Sequence, residues 1–198
     1  MLDGRSTTRA ISRTLLCSRR CLVALAILIL ANALTAQQPR ASEAEVEAVY
    51  VFKFSQFITW PHNAPATTTF NICVLGDDPL GSYLDKTIRG EKIGGEPVVE
   101  RHIARPQDAQ GCAVLYISRS EAYRLRPILM TVHDWPVLTV SDIPDFADKG
   151  GMIEFVLQSG RVRFAVNLTP AAEAGLSFSS ELLKVAVTVT GAAAPGSR

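Results

Sequence analysis

Few side chains in this sequence have the type and spacing that catalysis requires. The histidines are His62, His102 and His133, and none stands at the spacing of an HExxH-type metal pair. They read as loop or surface side chains. Cys73 and Cys112 lie too far apart for a CxxC redox couple, and no GxSxG nucleophile elbow occurs. Paired carboxylates fall where turns and helix caps belong: Asp77 and Asp78 just before Pro79, then Asp142, Asp145 and Asp148. A catalytic site needs a nucleophile with its base, or a cluster of ligands. The sequence spells out neither, which favours a binding or regulatory protein over an enzyme and implies no cofactor and no metal.

The compartment follows from the first 36 residues. Arg5, Arg9, Arg13, Arg19 and Arg20 precede an apolar run over residues 22–30, and Ala31, Ala33 and Ala36 supply small residues for cleavage near residues 33–36. That order is a secretory signal peptide; the apolar run is short of the ~20 residues a membrane span needs. The expectation is an exported, periplasmic protein. Five of the 20 basic residues and one of the 19 acidic ones lie in the leader, so the remainder carries a net charge of −3. A mildly acidic chain has no electrostatic footprint for nucleic acid. Cys17 and Cys21 leave with the leader. Cys73 and Cys112 remain as one pair in an oxidising compartment, where a disulfide is the default and two buried free thiols the alternative.

The elements that must position these groups are legible from periodicity. Over residues 43–58, Val46, Val49, Tyr50, Phe54 and Phe57 recur at three and four, an amphipathic helix that Trp60 and Pro61 end. Residues 70–75 form a buried strand. The loop from Gly76 turns into a helix reaching about Arg89, with Asp77 or Asp78 as cap and Pro79 in its first turn. Two carboxylates there argue against a phosphate loop. Residues 97–103 suit an edge strand. Residues 112–117, 119–133 and 136–140 make a strand–helix–strand unit, hence a parallel sheet, with Ser118 and Glu121 as a capping box. A short helix is expected around residues 144–147, a hairpin over 152–166 turning at Ser159 and Gly160, a helical region from Asn167 broken at Gly175, a last helix near Ser179, and a tail from Gly191.

The sum is one α/β domain over residues 37–190: a Rossmann-like or flavodoxin-like three-layer sandwich, its mixed sheet parallel at the centre and closed by a C-terminal β-hairpin. A flavodoxin-like order sets the strand of Cys73 beside that of Cys112, within bridging distance.

Several stretches in matching order then resemble the YfiR family of periplasmic proteins. They are Phe54-x-x-Phe57-Ile58-x-Trp60-Pro61, residues 73–79, residues 116–121 and residues 136–142. Gly151-Met152-Ile153-x-Phe155, residues 161–164, 166–168, 174–176, and Ser179-Ser180-x-Leu182-Leu183 continue the likeness. The resemblance runs from about residue 45 to residue 186. It implies a repressor that binds the periplasmic sensor domain of a membrane-bound diguanylate cyclase, lowering cyclic-di-GMP and biofilm formation. It also implies an OmpA-like outer-membrane lipoprotein that sequesters the repressor, a homodimer, a Rossmann-like fold, and a disulfide matching Cys73 and Cys112. Some members carry a second cysteine pair near the C-terminus, where this chain has Gly150 and Gly151. Links between members and small aromatic or nucleotide ligands make Phe54, Phe57, Trp60, Arg161, Arg163 and Asn167 the candidate ligand- or partner-binding residues. The other functional reading is a periplasmic small-ligand sensor or carrier acting on another membrane signalling protein, such as a sensor kinase.

Overall fold

The computed structural model describes residues 41–61 and 68–191. The leader, His62 and residues 192–198 lie outside that range. Helix α1 (Glu43–Phe54) begins where Ser42 accepts a hydrogen bond from the Glu45 amide at 3.1 Å, with Glu43 and Glu45 at the positive end of the helix dipole. Strand β1 (Ile58–Thr59) follows, then β2 (Phe70–Leu75), α2 (Gly81–Ile88), β3 (Lys92–Ile93) and β4 (Glu96–Ile103). A 3₁₀ turn (Pro106–Ala109) leads to β5 (Val114–Ile117), and a second (Arg119–Arg124) runs into α3 (Leu125–Val132). After β6 (Leu138–Ser141) come β7 (Ile153–Gln158), β8 (Arg161–Asn167), α4 (Leu168–Glu173), β9 (Ser177–Phe178), α5 (Ser180–Val185) and β10 (Thr188–Thr190).

Among the described residues the main sheet has eight strands in the order β10-β8-β7-β6-β5-β2-β4-β3. Its centre, β4-β2-β5-β6-β7, is parallel; β8 returns antiparallel to β7 and β3 antiparallel to β4. This is the expected mixed α/β sandwich. Side chains alternate between the two faces, as strand pleating requires. Phe70, Ile72 and Val74 of β2 join Val114, Tyr116, Leu138 and Val140 under α1 and α2. Cys73 and Leu75 point the other way, with Leu115 and Ile117, onto Leu125, Ile128 and Val132 of the α3 layer and Phe146.

Cys73 and Cys112 are joined in a disulfide with a Cα–Cα distance of 5.9 Å, both side chains buried. The bond lies between the strands the sequence set side by side: Ile72 pairs with Val114 in the parallel β2–β5 ladder. Asn71 reinforces the same junction, its side-chain amide donating to the Gly111 carbonyl at 2.9 Å and its own carbonyl accepting from the Ala113 amide.

Four local expectations are corrected. Helix α1 stops at Phe54 rather than near Ile58, because residues 58–59 pair antiparallel with β9, and the strand pairing outweighs helical periodicity. Its buried face is Ala48, Val51, Phe52 and Phe54, leaving Val49 exposed. The capping box does not close: the Ser118 amide donates to Leu75 O, and the Glu121 carboxylate turns to Arg124. Residues 144–147 form turns instead of a helix, since the Glu154 carboxylate accepts from the Asp145 and Ala147 amides at 3.0 Å each and holds them in a loop. Pro79 precedes helix α2 instead of opening it, with Asp78 Oδ1 accepting from the Leu80 and Gly81 amides. Strand β10, parallel to β8, begins inside the stretch before Gly191 and had no signal in periodicity.

Two glycines are required. Gly76 has φ +91°, and a Cβ there would meet Ser120 Oγ at 2.5 Å; a Cβ at Gly151 would meet the Phe146 ring at 2.0 Å. The first lets the exit of β2 lie against the turn that follows β5, where Ser120 Oγ accepts from the Asp77 amide.

The disulfide closes a loop whose ends are 39 residues apart, a constraint on the unfolded chain of about 4 kcal/mol. Cys73→Ser and Cys112→Ser should each lower the melting temperature by about 10 °C. Melts that overlay the wild type would show that the bridge contributes nothing to the fold.

Candidate functional site

In open α/β sheets the crevice beyond the carboxyl ends of the parallel strands is the natural binding position. Here that end carries a groove of about 220 Å³ between α1 and the β7–β8 hairpin. Glu43 and Glu47 enter from α1, Arg119 from the turn after β5 and Asp142 from the residue after β6; Phe155, Val156, Leu157 and Val162 supply the apolar wall. Each polar group is delivered by a defined element. Glu47 sits one helical turn beyond Glu43 on α1; Arg119 is the second residue past β5 and Asp142 the first past the adjacent β6.

The groups are coupled. Arg119 Nε lies 3.1 Å from Asp142 Oδ2, and its Nη2 donates to the Asp142 carbonyl at 2.8 Å. Asp142 Oδ1 is buried and has no hydrogen-bond partner among the described residues. The Tyr116 hydroxyl, on a fully buried residue, donates to Glu47 Oε2 at 3.4 Å. Burial first, then the negative charge of Asp142, pushes the Glu47 carboxyl up to about 7. Burial and the Asp142 and Glu47 charges likewise raise the Tyr116 phenol well above its ordinary value. One guanidinium therefore faces three carboxylates, and one carboxylate oxygen lacks a donor. Such a groove accepts cationic or hydrogen-bond-donating groups, with an apolar stem lying on Phe155 and Leu157.

The sequence-derived candidates do not gather around this groove as a set. Phe54 is fully buried, stacked on Phe155 at 5.7 Å and edge-on to Phe164 at 4.9 Å. Phe57 is partly exposed, and its carbonyl accepts from the Ser179 amide. Trp60 lies edge-on to Phe70 at 5.3 Å, with its indole Nε1 buried and without a partner among the described residues. Arg161 opens β8 beside the hairpin turn and is exposed, Arg163 is half-buried two residues on, and Asn167 caps α4 and donates to Ala147 O at 2.8 Å. Sequence reading singled out none of Glu47, Arg119 and Tyr116 as a site residue: Glu47 reads only as a carboxylate favoured by the helix dipole. A carboxylate at the middle of an amphipathic helix carries no signal until the strand ends are placed against it. Asp142 was noted, though only as a cap.

Away from the groove, a hollow of about 230 Å³ lies under α3, walled mainly by Leu129, Met130, Val132 and Met152. A second titratable group, Asp78, Glu100 and His102, stands at the other flank of the sheet with ligand atoms all within 4.8 Å of one another.

Glu47 fixes a pH dependence. A carboxyl whose native value is raised contributes stability that is full below its unfolded value near 4.5 and is lost as pH rises through about 7. Glu47→Gln keeps that position neutral throughout. The variant should match the wild type at pH 5 and be more stable at pH 8.5 by about 1 kcal/mol, the shift being discounted for water in the open groove. Thermal melts at the two pH values measure this, and an equal difference at both would contradict it.

Comparison with known proteins supports the fold and supplies the family. A solved structure described as a conserved domain protein from Vibrio cholerae O1 biovar eltor superposes with a TM-score of 0.52 at 11% sequence identity, covering 75% of this chain. This chain spans 60% of that protein's length, and the likeness is one of fold. No curated protein matches the sequence. Among the described residues no helix is long and apolar enough to cross a membrane. A family profile described as YfiR/HmsC-like matches residues 44–187, the whole of the sheet from α1 to the approach to β10. The chain belongs to the YfiR/HmsC-like family.

Proposed function

We propose that this protein is a periplasmic regulatory binding protein that represses a membrane-bound diguanylate cyclase by binding its periplasmic sensor domain. Cyclic-di-GMP and biofilm formation fall while the two are engaged. The observation that carries this reading is the family match over residues 44–187. The leader read in residues 1–36 agrees with it. In this reading the protein acts as a homodimer and makes and breaks no covalent bond, and an OmpA-like outer-membrane lipoprotein relieves repression by holding it away from the cyclase.

We assign the contact with the sensor domain to the groove at Glu47, Asp142 and Leu157. Its excess of carboxylates over cations suits a basic side chain, and Leu157 is 59% exposed at its lip. Arg161 and Arg163, on the hairpin that walls the groove, remain candidates for its outer part, and Phe54 stacks on Phe155 of its wall; Phe57, Trp60 and Asn167 stand apart from the groove and remain candidates for a separate contact. A small ligand seated in the same groove is the other use its 220 Å³ volume allows.

Deleting the gene in a strain whose cyclase carries a periplasmic sensor should raise cellular cyclic-di-GMP several-fold, and the wild-type gene should restore it. The variant Leu157→Glu, altered at an exposed position, should melt like the wild type yet fail to restore repression. Cyclic-di-GMP unchanged by the deletion would rule the reading out. Full repression by Leu157→Glu would remove the groove from it.

A further inference from the structure

The carboxyl ends of β2 and β4 bring together three side chains that the regulatory reading does not use. Glu100 and His102 are two residues apart on β4, so strand pleating sets them on one face, the face covered by α2. Asp78 reaches the same point from the loop that leaves β2, the strand paired with β4. His102 Nε2 lies 3.5 Å from Glu100 Oε1 and 3.8 Å from Asp78 Oδ2.

Two features distinguish this group from a solvated acidic patch. Glu100 is the first: its side chain is only 7% exposed, and Oε1 makes no hydrogen bond among the described residues although it points into the cluster. An orphaned buried carboxylate oxygen is costly unless a donor or cation reaches it. Asp78 is the second. Its Oδ1 is fixed by the Leu80 and Gly81 amides at 3.0 and 2.8 Å, which leaves Oδ2 held toward the imidazole. Asp85 on α2 stands against the Glu100 carboxyl. The ion pairs that Asp78 and Glu100 make among the described residues are both with His102.

We propose that Asp78, Glu100 and His102 form a binding site for a divalent transition-metal ion of the zinc type. Zinc held at 2.0–2.2 Å by nitrogen and oxygen ligands in a tetrahedron has ligand–ligand edges of about 3.4 Å. The two measured separations therefore need to contract by only tenths of an ångström. One imidazole with two carboxylates is a borderline donor set that suits zinc, cobalt or manganese better than the all-oxygen shells of calcium and magnesium. Three protein ligands leave a position open, and the 60% exposure of His102 gives it to water. Asp85 stands behind Glu100, where an outer carboxylate orients a ligand. The bound ion ties the β2 exit loop to the β4 flank, on the other side of the β2–β5 pair from the groove.

Isothermal titration of metal-free, untagged mature protein with ZnCl₂ tests this, alongside the absorption spectrum of the cobalt(II) form. One saturable equivalent is expected, unaffected by millimolar Mg²⁺, with cobalt bands of four- or five-coordinate intensity. His102→Ala should weaken binding at least tenfold without changing the melt of the metal-free protein, and Glu100→Gln should do the same. His133→Ala, which removes the imidazole beside Asp134 and Glu173, should leave binding unchanged. Absence of binding at 100 µM zinc would overturn the site, as would binding lost in His133→Ala but kept in His102→Ala.

Discussion

The pairing of β2 with β5 is the constraint on which the rest of the molecule depends. These strands are neighbours in the sheet, yet the chain between them makes α2, β3, β4 and a 3₁₀ turn. The connection from β2 runs outward to β4, whereas that from β5 runs the other way to β6, so the sheet changes direction between them. Such a point opens a crevice at the carboxyl ends of the strands. The Cys73–Cys112 bond and the Asn71 hydrogen bonds fix the opposite, amino-terminal end of the same pair. One end of the junction is stapled; the other opens into the crevice.

What gathers at the open end is negative charge held partly out of water. On one side Glu47, Asp142 and Glu43 share Arg119; on the other Glu100 and Asp78 face His102, with Asp85 beside Glu100. Glu47 and Glu100 are both pushed to about 7, and burial is the leading cause in each case. Maintaining two such carboxyls costs stability near neutral pH, which the aromatic cluster beneath helps to offset. Tyr50, Phe54, Phe155 and Phe164 pack with ring centroids 4.9–6.2 Å apart and lock α1, which carries Glu47, onto the β7–β8 hairpin that walls the groove. Core packing and groove geometry are thus the same set of contacts seen from two sides.

Much of this was legible in the sequence because buried strands announce themselves locally. Residues 70–75 are apolar and β-rich enough to fix both ends of β2, and Ser159-Gly160, with φ values of +52° and +70°, mark the hairpin turn outright. The neighbouring strands of Cys73 and Cys112 followed from topology. Where reading failed, long-range contacts had overridden local preference. The end of α1 was set by β9, more than a hundred residues away, and Ser118 gave up its capping box to the Leu75 carbonyl. Strand β10 is exposed throughout and carries no burial pattern to read. The candidate site was the least legible part. Glu47, Tyr116 and Asp142 lie on three separate elements and meet only when the sheet is assembled, and the alternation of Glu100 and His102 means nothing until Asp78 arrives from the loop after β2.

The central claim is that this stapled sheet works through the surface it presents to a membrane cyclase. Calorimetric titration of the oxidised mature protein into the isolated periplasmic domain of a diguanylate cyclase from the same cell tests that claim most directly. Saturable binding at fixed stoichiometry, weakened by added salt as an acidic groove requires, is the predicted result. No heat of binding from folded, disulfide-intact protein across the micromolar range would contradict it.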